Sequence, residues 1–160
     1  MASRSKVLRG IGFDPGKVNC AYAVWERNHI IETDVLEGIE DVITLPDFAQ
    51  HLTRLLDWYK PNVCGVERYQ LRPGRGFVGN MELVNIMIGT IQGLCFARDI
   101  PTYLVLPSVH KVWAGEVCGA KKVKGKLSTH TCPLYRDLNT EHEADAANVI
   151  HYVVKKLLKR

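Results

Sequence analysis

Four apolar residues in a row, Val63-Cys64-Gly65-Val66, stand between Pro61 and Glu67. A run this short and continuously apolar reads as a strand buried on both faces, which needs cover on both sides of its sheet. The flanking segments supply that cover. Before it, Val7 to Asp14 reads as a strand closed by the turn signal Asp14-Pro15-Gly16. Asn19 to Trp25 and His29 to Leu36 read as two more strands, with Glu26-Arg27-Asn28 as a hairpin link. A helix follows, with Thr44 as N-cap, Pro46 in the first turn and Asp47 where a capping box wants an acid. Phe48, Leu52, Leu55, Leu56 and Tyr59 recur on one face of it, and Pro61 ends it.

Beyond Glu67 lies a Gly-rich basic loop, Gln70 to Gly79. Asn80 then heads a second helix, to about Arg98, carrying Leu83, Met87, Ile91 and Leu94. Its Gly89 and Gly93 are four apart and permit close approach of another element. Ile100 to Leu106 reads as a strand stopped by Pro107, and Val109 to Trp113 as a short helix. Glu116 to Gly125 reads as irregular, and Lys126 to Tyr135 as another short helix broken at Pro133. Thr140-x-x-Glu143 is a capping box opening a last helix, whose apolar face runs through Ala146, Ala147, Ile150, Val153, Val154, Leu157 and Leu158. The order βββαβαβα predicts an α/β fold with a mixed five-stranded sheet, three antiparallel strands then parallel ones, flanked by helices.

A length of 160 residues fits one domain, 1–160, with a sizeable core. No stretch is apolar enough to span a bilayer, and Met1 to Lys6 carries no apolar leader, so a cytoplasmic or nucleoid location is expected. The five cysteines are odd in number and widely spread, which argues against a disulfide framework. Cys20, Cys64 and Cys95 lie in apolar runs and read as core. Cys118, His130 and Cys132 lack the close paired spacing of a structural zinc site. The net charge of +4 is unevenly placed: Lys111, Lys121, Lys122, Lys124, Lys126 and Arg136 cluster between Pro107 and Arg136. Such a segment can neutralise nucleic-acid phosphates. The C-terminal Lys155, Lys156, Lys159 and Arg160 read as solvated surface.

Four residues carry the candidate chemistry. Asp14 and Glu67 each end a strand, where an α/β sheet opens to ligands, and they lie side by side if their strands are neighbours. His142 and Asp145, three apart, share a face at the start of the last helix. Three carboxylates and an imidazole meeting at one point repel unless a cation joins them. Hard oxygen donors suit Mg²⁺ or Mn²⁺, and a pair of such ions suits phosphodiester hydrolysis. Plainer explanations compete. Asp14 suits a turn, Glu67 can pair with Arg68, and His142 and Asp145 can serve the helix dipole. Glu143 is explained by capping alone.

Gly12-Phe13-Asp14-Pro15-Gly16, Gly65-Val66-Glu67 and His142-Glu143-Ala144-Asp145-Ala146 resemble the motifs of the RuvC family of Holliday junction resolvases, within the RNase H-like superfamily. The resemblance runs from about Leu8 to Val154 and is nearer to compact phage-type members. It implies a single RNase H-like nuclease domain and a homodimer acting on four-way or branched DNA. It implies a two-ion Mg²⁺ site, with Mn²⁺ as a substitute, held by Asp14, Glu67, His142 and Asp145, which would also be the catalytic residues. Pro107 to Lys111 is similar to the family's P-x-x-V-K segment, with one residue fewer before the lysine, which makes Lys111 a candidate phosphate contact. Lys122 fits a second family lysine by spacing, with Lys121, Lys124 and Lys126 competing. The loop after Glu67 departs from the bacterial members: Arg72 and Arg75 can contact phosphates, and Phe77 can stack on an unpaired base. Three other readings stay open. They are an RNase H-like nuclease acting on flaps, branches or RNA–DNA hybrids, an actin-like ATPase, for which the chain is short, and a non-catalytic DNA-binding module.

Overall fold

The computed structural model describes residues 7–16, 19–38, 44–69 and 81–159. Three strands open the chain: β1 (Arg9–Pro15), β2 (Asn19–Glu26) and β3 (His29–Glu37). Helix α1 (Leu45–Tyr59), strand β4 (Val63–Glu67), helix α2 (Met81–Phe96) and strand β5 (Thr102–Val105) alternate after them. Helix α3 (Pro107–Val117), a small hairpin of β6 (Lys121–Val123) and β7 (Lys126–Ser128), and helix α4 (Glu141–Tyr152), continued by a π-helical turn at Val153–Leu157, complete the order of strands and longer helices. The five-stranded sheet runs β3-β2-β1-β4-β5. β1–β2 and β2–β3 are antiparallel, whereas β1–β4 and β4–β5 are parallel, as the strand-then-alternation pattern implied. The short apolar run is therefore an inner strand, with β1 on one side and β5 on the other.

The two faces of the sheet are built differently. Ile11, Phe13, Cys64 and Val66 point to one face and pack with Phe48, Leu52 and Leu56 of α1 and Met87 and Ile91 of α2. On the other face the same strands present Gly10, Gly12 and Gly65, and β2 presents Ala21 and Ala23, beneath α4. Because strand side chains alternate, Asp14 follows Gly12 and Glu67 follows Gly65 onto this second face. The absent side chains let α4 sit almost on the backbone. A Cβ at Gly12 would lie 2.2 Å from the Ala146 carbonyl oxygen, and one at Gly65 would lie 2.9 Å from Val149 Cγ1. Ala144, Ala146 and Ala147 keep the helix side of this contact equally thin. Glycines and alanines thus bring the start of α4 over the ends of β1 and β4.

The Thr140 capping box forms as expected: the Thr140 hydroxyl accepts from the Glu143 N–H, and the Glu143 carboxylate accepts from the Thr140 N–H. Thr44 holds the N-cap position of α1 without a side-chain capping bond, and Lys60 closes that helix in the left-handed region. Cys20, Cys64 and Cys95 are buried, and all five cysteines are free thiols. Among the described residues, nothing lies within 4 Å of a Cβ placed at Gly89 or Gly93, so they leave that face of α2 uncovered. No helix among the described residues is long and apolar enough to cross a membrane.

The segment from Val109 to Tyr135 departs from the expectation. α3 is longer, starting at Pro107 and ending at Val117. In place of the irregular stretch and the helix expected over Lys126 to Tyr135, β6 and β7 pair antiparallel, and a single 3-10 turn spans Thr129–Thr131. Lys124 and Gly125, both at positive φ, make the two-residue hairpin turn. Three-residue strands are too short to show alternation, and a run of lysines hides the pairing from a hydrophobic pattern.

Candidate active site

Asp14 and Glu67 reach the site from adjacent strands. Phe13 is in register with Val66, so the next residue on each strand, Asp14 and Glu67, lies beside its counterpart. α4 brings His142 and Asp145 from above. His142 Nδ1 is 2.7 Å from Asp14 Oδ2. Asp145 Oδ2 accepts from Lys111 Nζ at 2.7 Å, and its Oδ1 accepts from Thr129 Oγ1 at 2.5 Å. Glu67 Oε2 lies 2.6 Å from His110 Nε2 rather than on Arg68. The four residues singled out in the sequence thus belong to one cluster, bounded by Lys111, Thr129 and His110.

The cluster is dry. Asp14 is 6% exposed, Asp145 is 4% exposed, and His110, Thr129 and Asn148 are fully buried. Burial raises the Asp14 carboxyl above its usual range; the His142 hydrogen bond opposes this and the Glu67 charge adds to it. Burial and then repulsion from Asp145 lift Glu67 to about 7, against the pull of Lys111 and His142. Burial raises Asp145 as well, only partly offset by Lys111. Burial works against the Lys111 ammonium, yet Asp145, Glu67 and Asp14 hold it above its ordinary value. His142 is raised, first by its bond to Asp14. Burial drives His110 down to about 4, so at neutral pH its contact with Glu67 joins a neutral imidazole to a carboxyl group.

Three carboxylates crowd this pocket against the Lys111 ammonium and the His142 imidazole, and the upward shift of all three reflects burial and mutual repulsion that a divalent cation would relieve. One ligand atom from each of Glu67, His110 and Asp145 lies within 4.8 Å of the others, a spacing that one metal ion could bridge. The carboxylates of that group, Glu67 and Asp145, are hard oxygen donors of the kind that suits a divalent cation, and Asp14 stands beside Glu67 on the next strand, outside the trio.

The basic residues divide. Lys121, Lys122, Lys124 and Lys126 are exposed on the β6–β7 hairpin, while Lys111 is turned inward onto Asp145. The hairpin leads directly into Thr129, so one segment carries the lysines outside and a carboxylate partner inside. Arg72, Arg75 and Phe77 lie outside the described residues. Cys132 Sγ and His130 Nε2 each bond a backbone carbonyl, those of Cys118 and Leu138.

Sequence reasoning passed over His110, Thr129 and Asn148. His110 adjoins Lys111 in a segment already singled out. Asn148 is an amide set into an otherwise apolar face, three residues after Asp145, which was a usable signal. Thr129 fell in a stretch read as helix and had none.

No protein-family model matches the sequence, and no curated protein matches it. Solved structures do. The fold is RuvC-like. Thermus thermophilus RuvC in complex with a Holliday junction substrate superposes with a TM-score of 0.70 at 15% identity, over 95% of this chain and 96% of that one. The yeast mitochondrial Holliday junction resolvase Ydc2 gives 0.61 at 18% identity, over 91% and 78%. The fowlpox virus resolvase with substrate Holliday junction DNA gives 0.54 at 14% identity, over 94% and 99%. At such identities the likeness speaks for the fold, including the mixed sheet and its helices.

Proposed function

We propose that this chain is a divalent-metal-dependent endodeoxyribonuclease that resolves four-way DNA junctions by paired cuts. The observation that carries the reading is the convergence of Asp14, Glu67, His142 and Asp145 where α4 crosses the ends of β1 and β4. Structures of similar fold that hold junction DNA support the substrate class.

Asp14, Glu67, Asp145 and His142 would hold the cation as the catalytic set. Bound Mg²⁺, two ions to a site and with Mn²⁺ as a substitute, would supply water activation and stabilisation of the leaving oxygen. His142, the most exposed of the four, is placed to take or give a proton at the cleft, with Asp14 fixing its ring through Nδ1. Thr129 and Lys111 hold the two oxygens of Asp145 in place. Lys121, Lys122, Lys124 and Lys126 would bind backbone phosphates, as Lys111 would once a cation relieves it of Asp145, and Arg72, Arg75 and Phe77 would meet the junction from the loop after Glu67. Two symmetric cuts need two sites, which a homodimer would supply, and the Gly89–Gly93 face of α2, uncovered among the described residues, is our candidate interface.

The test is Mg²⁺-dependent nicking of a synthetic four-way junction, with flap, fork and RNA–DNA hybrid substrates alongside. We expect paired nicks with 5′-phosphate ends in the junction. Asp14→Asn should abolish cleavage and keep binding. Retained cleavage in that variant refutes the site. Faster cutting of flaps or hybrids moves the substrate to the broader RNase H-like class, and binding without any cleavage leaves a DNA-binding module.

A further inference from the structure

The spacing of Glu67, His110 and Asp145 invites His110 into the metal shell. Asn148 argues otherwise. We propose that His110 and Asn148 are positioning residues: Asn148 locks the imidazole so that its Nε2–H holds one oxygen of Glu67, and His110 is not a metal ligand. The purpose of the pair rests on the endonuclease reading, but its geometry does not.

Asn148 Nδ2 lies 2.8 Å from the backbone carbonyl oxygen of His110. A carbonyl only accepts, so the atom facing it is the amide nitrogen; the flipped side chain would set oxygen against oxygen. The same nitrogen lies 2.8 Å from His110 Nδ1. Nδ1 must therefore offer a bare lone pair, because an N–H there would confront another N–H. A neutral ring with a bare Nδ1 carries its proton on Nε2. That proton points at Glu67 Oε2, 2.6 Å away. A metal at Nε2 would need the lone pair that this proton occupies.

Asn148 gains little for itself. Its Oδ1 is buried and has no hydrogen-bond partner among the described residues. It sits in the stretch Ala146, Ala147, Val149 and Ile150, where an apolar residue would pack without that cost. An amide kept there at a loss is explained by the ring it orients. Holding one Glu67 oxygen leaves the other for a cation, and keeps the donor set rich in oxygen, which favours hard ions.

The readout is the histidine long-range ¹H–¹⁵N spectrum of the full chain, metal-free and then with saturating Mg²⁺. We expect His110 as the Nε2–H tautomer in both. The Nδ1–H tautomer, or loss of the Nε2 proton when Mg²⁺ binds, overturns the proposal. Mn²⁺ affinity, read by electron paramagnetic resonance, should weaken on the order of ten- to a hundredfold in Asn148→Leu and His110→Leu. It should recover in part in His110→Gln, which restores a donor. Unchanged affinity in the folded leucine variants counts against the pair. If those variants do not fold, the wild-type spectrum still decides. Neither measurement uses DNA. A wild-type protein with the expected tautomer that never nicks a junction refutes the endonuclease reading alone.

Discussion

Gly12→Ala sets a methyl carbon 2.2 Å from the Ala146 carbonyl oxygen and 2.9 Å from Ile150 Cβ. Ordinary contact begins at 3.4 Å, so β1 and α4 must part by about 1.2 Å. The obstructing oxygen is helix backbone, which no rotamer can move aside. Overpacking of this kind costs about 1–3 kcal/mol, and the backbone clash puts this variant at the upper end. Gly10→Ala is the comparison: its new methyl meets Ile150 Cδ1 and Cγ1, both at 2.6 Å, which are side-chain atoms that a change of rotamer can shift, and no helix backbone. The larger effect is on the site. α4 carries both His142 and Asp145, so lifting it moves two of the four clustered groups away from the other two. A displacement near 1 Å costs on the order of a hundredfold in rate. Urea melts give the stability change, and single-turnover nicking of a four-way junction by the folded variant gives the rate. If Gly12→Ala lies within about 0.5 kcal/mol of wild type, or costs less than Gly10→Ala, the close seating of α4 on β1 is wrong.

Two further outcomes are expected. Thr129→Val keeps the shape of the side chain and removes the donor to Asp145 Oδ1; it should cost about 1–3 kcal/mol in urea melts and slow cleavage, while Thr129→Ser should restore both. An unaffected Thr129→Val protein would show that Asp145 does not depend on that hydroxyl. Burial holds His151 near 4 in the fold, below its ordinary 6.5, and the unfolded chain therefore binds the extra proton first. His151 thus favours the fold fully above pH 6.5, and this contribution fades as pH falls toward 4. Stability measured across that window should fall less steeply in His151→Gln than in wild type, and parallel curves would rule His151 out as a cause.

Much of the fold was legible because its signals are local. The apolar run Val63 to Val66 asked for two covered faces, and it became an inner strand. The Thr140–Glu143 spacing located the start of α4 to the residue. The hairpin was not legible: Lys121 to Ser128 holds two three-residue strands joined by a Lys124-Gly125 turn, and an apolar pattern has nothing to register there.

From the order of residues alone came the five strands of the main sheet, the helices α1, α2 and α4, their sequence and four polar positions at element ends, because periodicity, caps and turns are properties of neighbours along the chain. Which groups surround those four positions was decided in three dimensions. Glu67 meets His110 across 43 positions, His110 meets Asn148 across 38, and Lys111 meets Asp145 across 34. The two meetings made by α4, through Asn148 and Asp145, depend on Gly10, Gly12 and Gly65 letting that helix settle close onto the sheet. The depth of that contact is set by packing between segments distant in the chain, which no local pattern records.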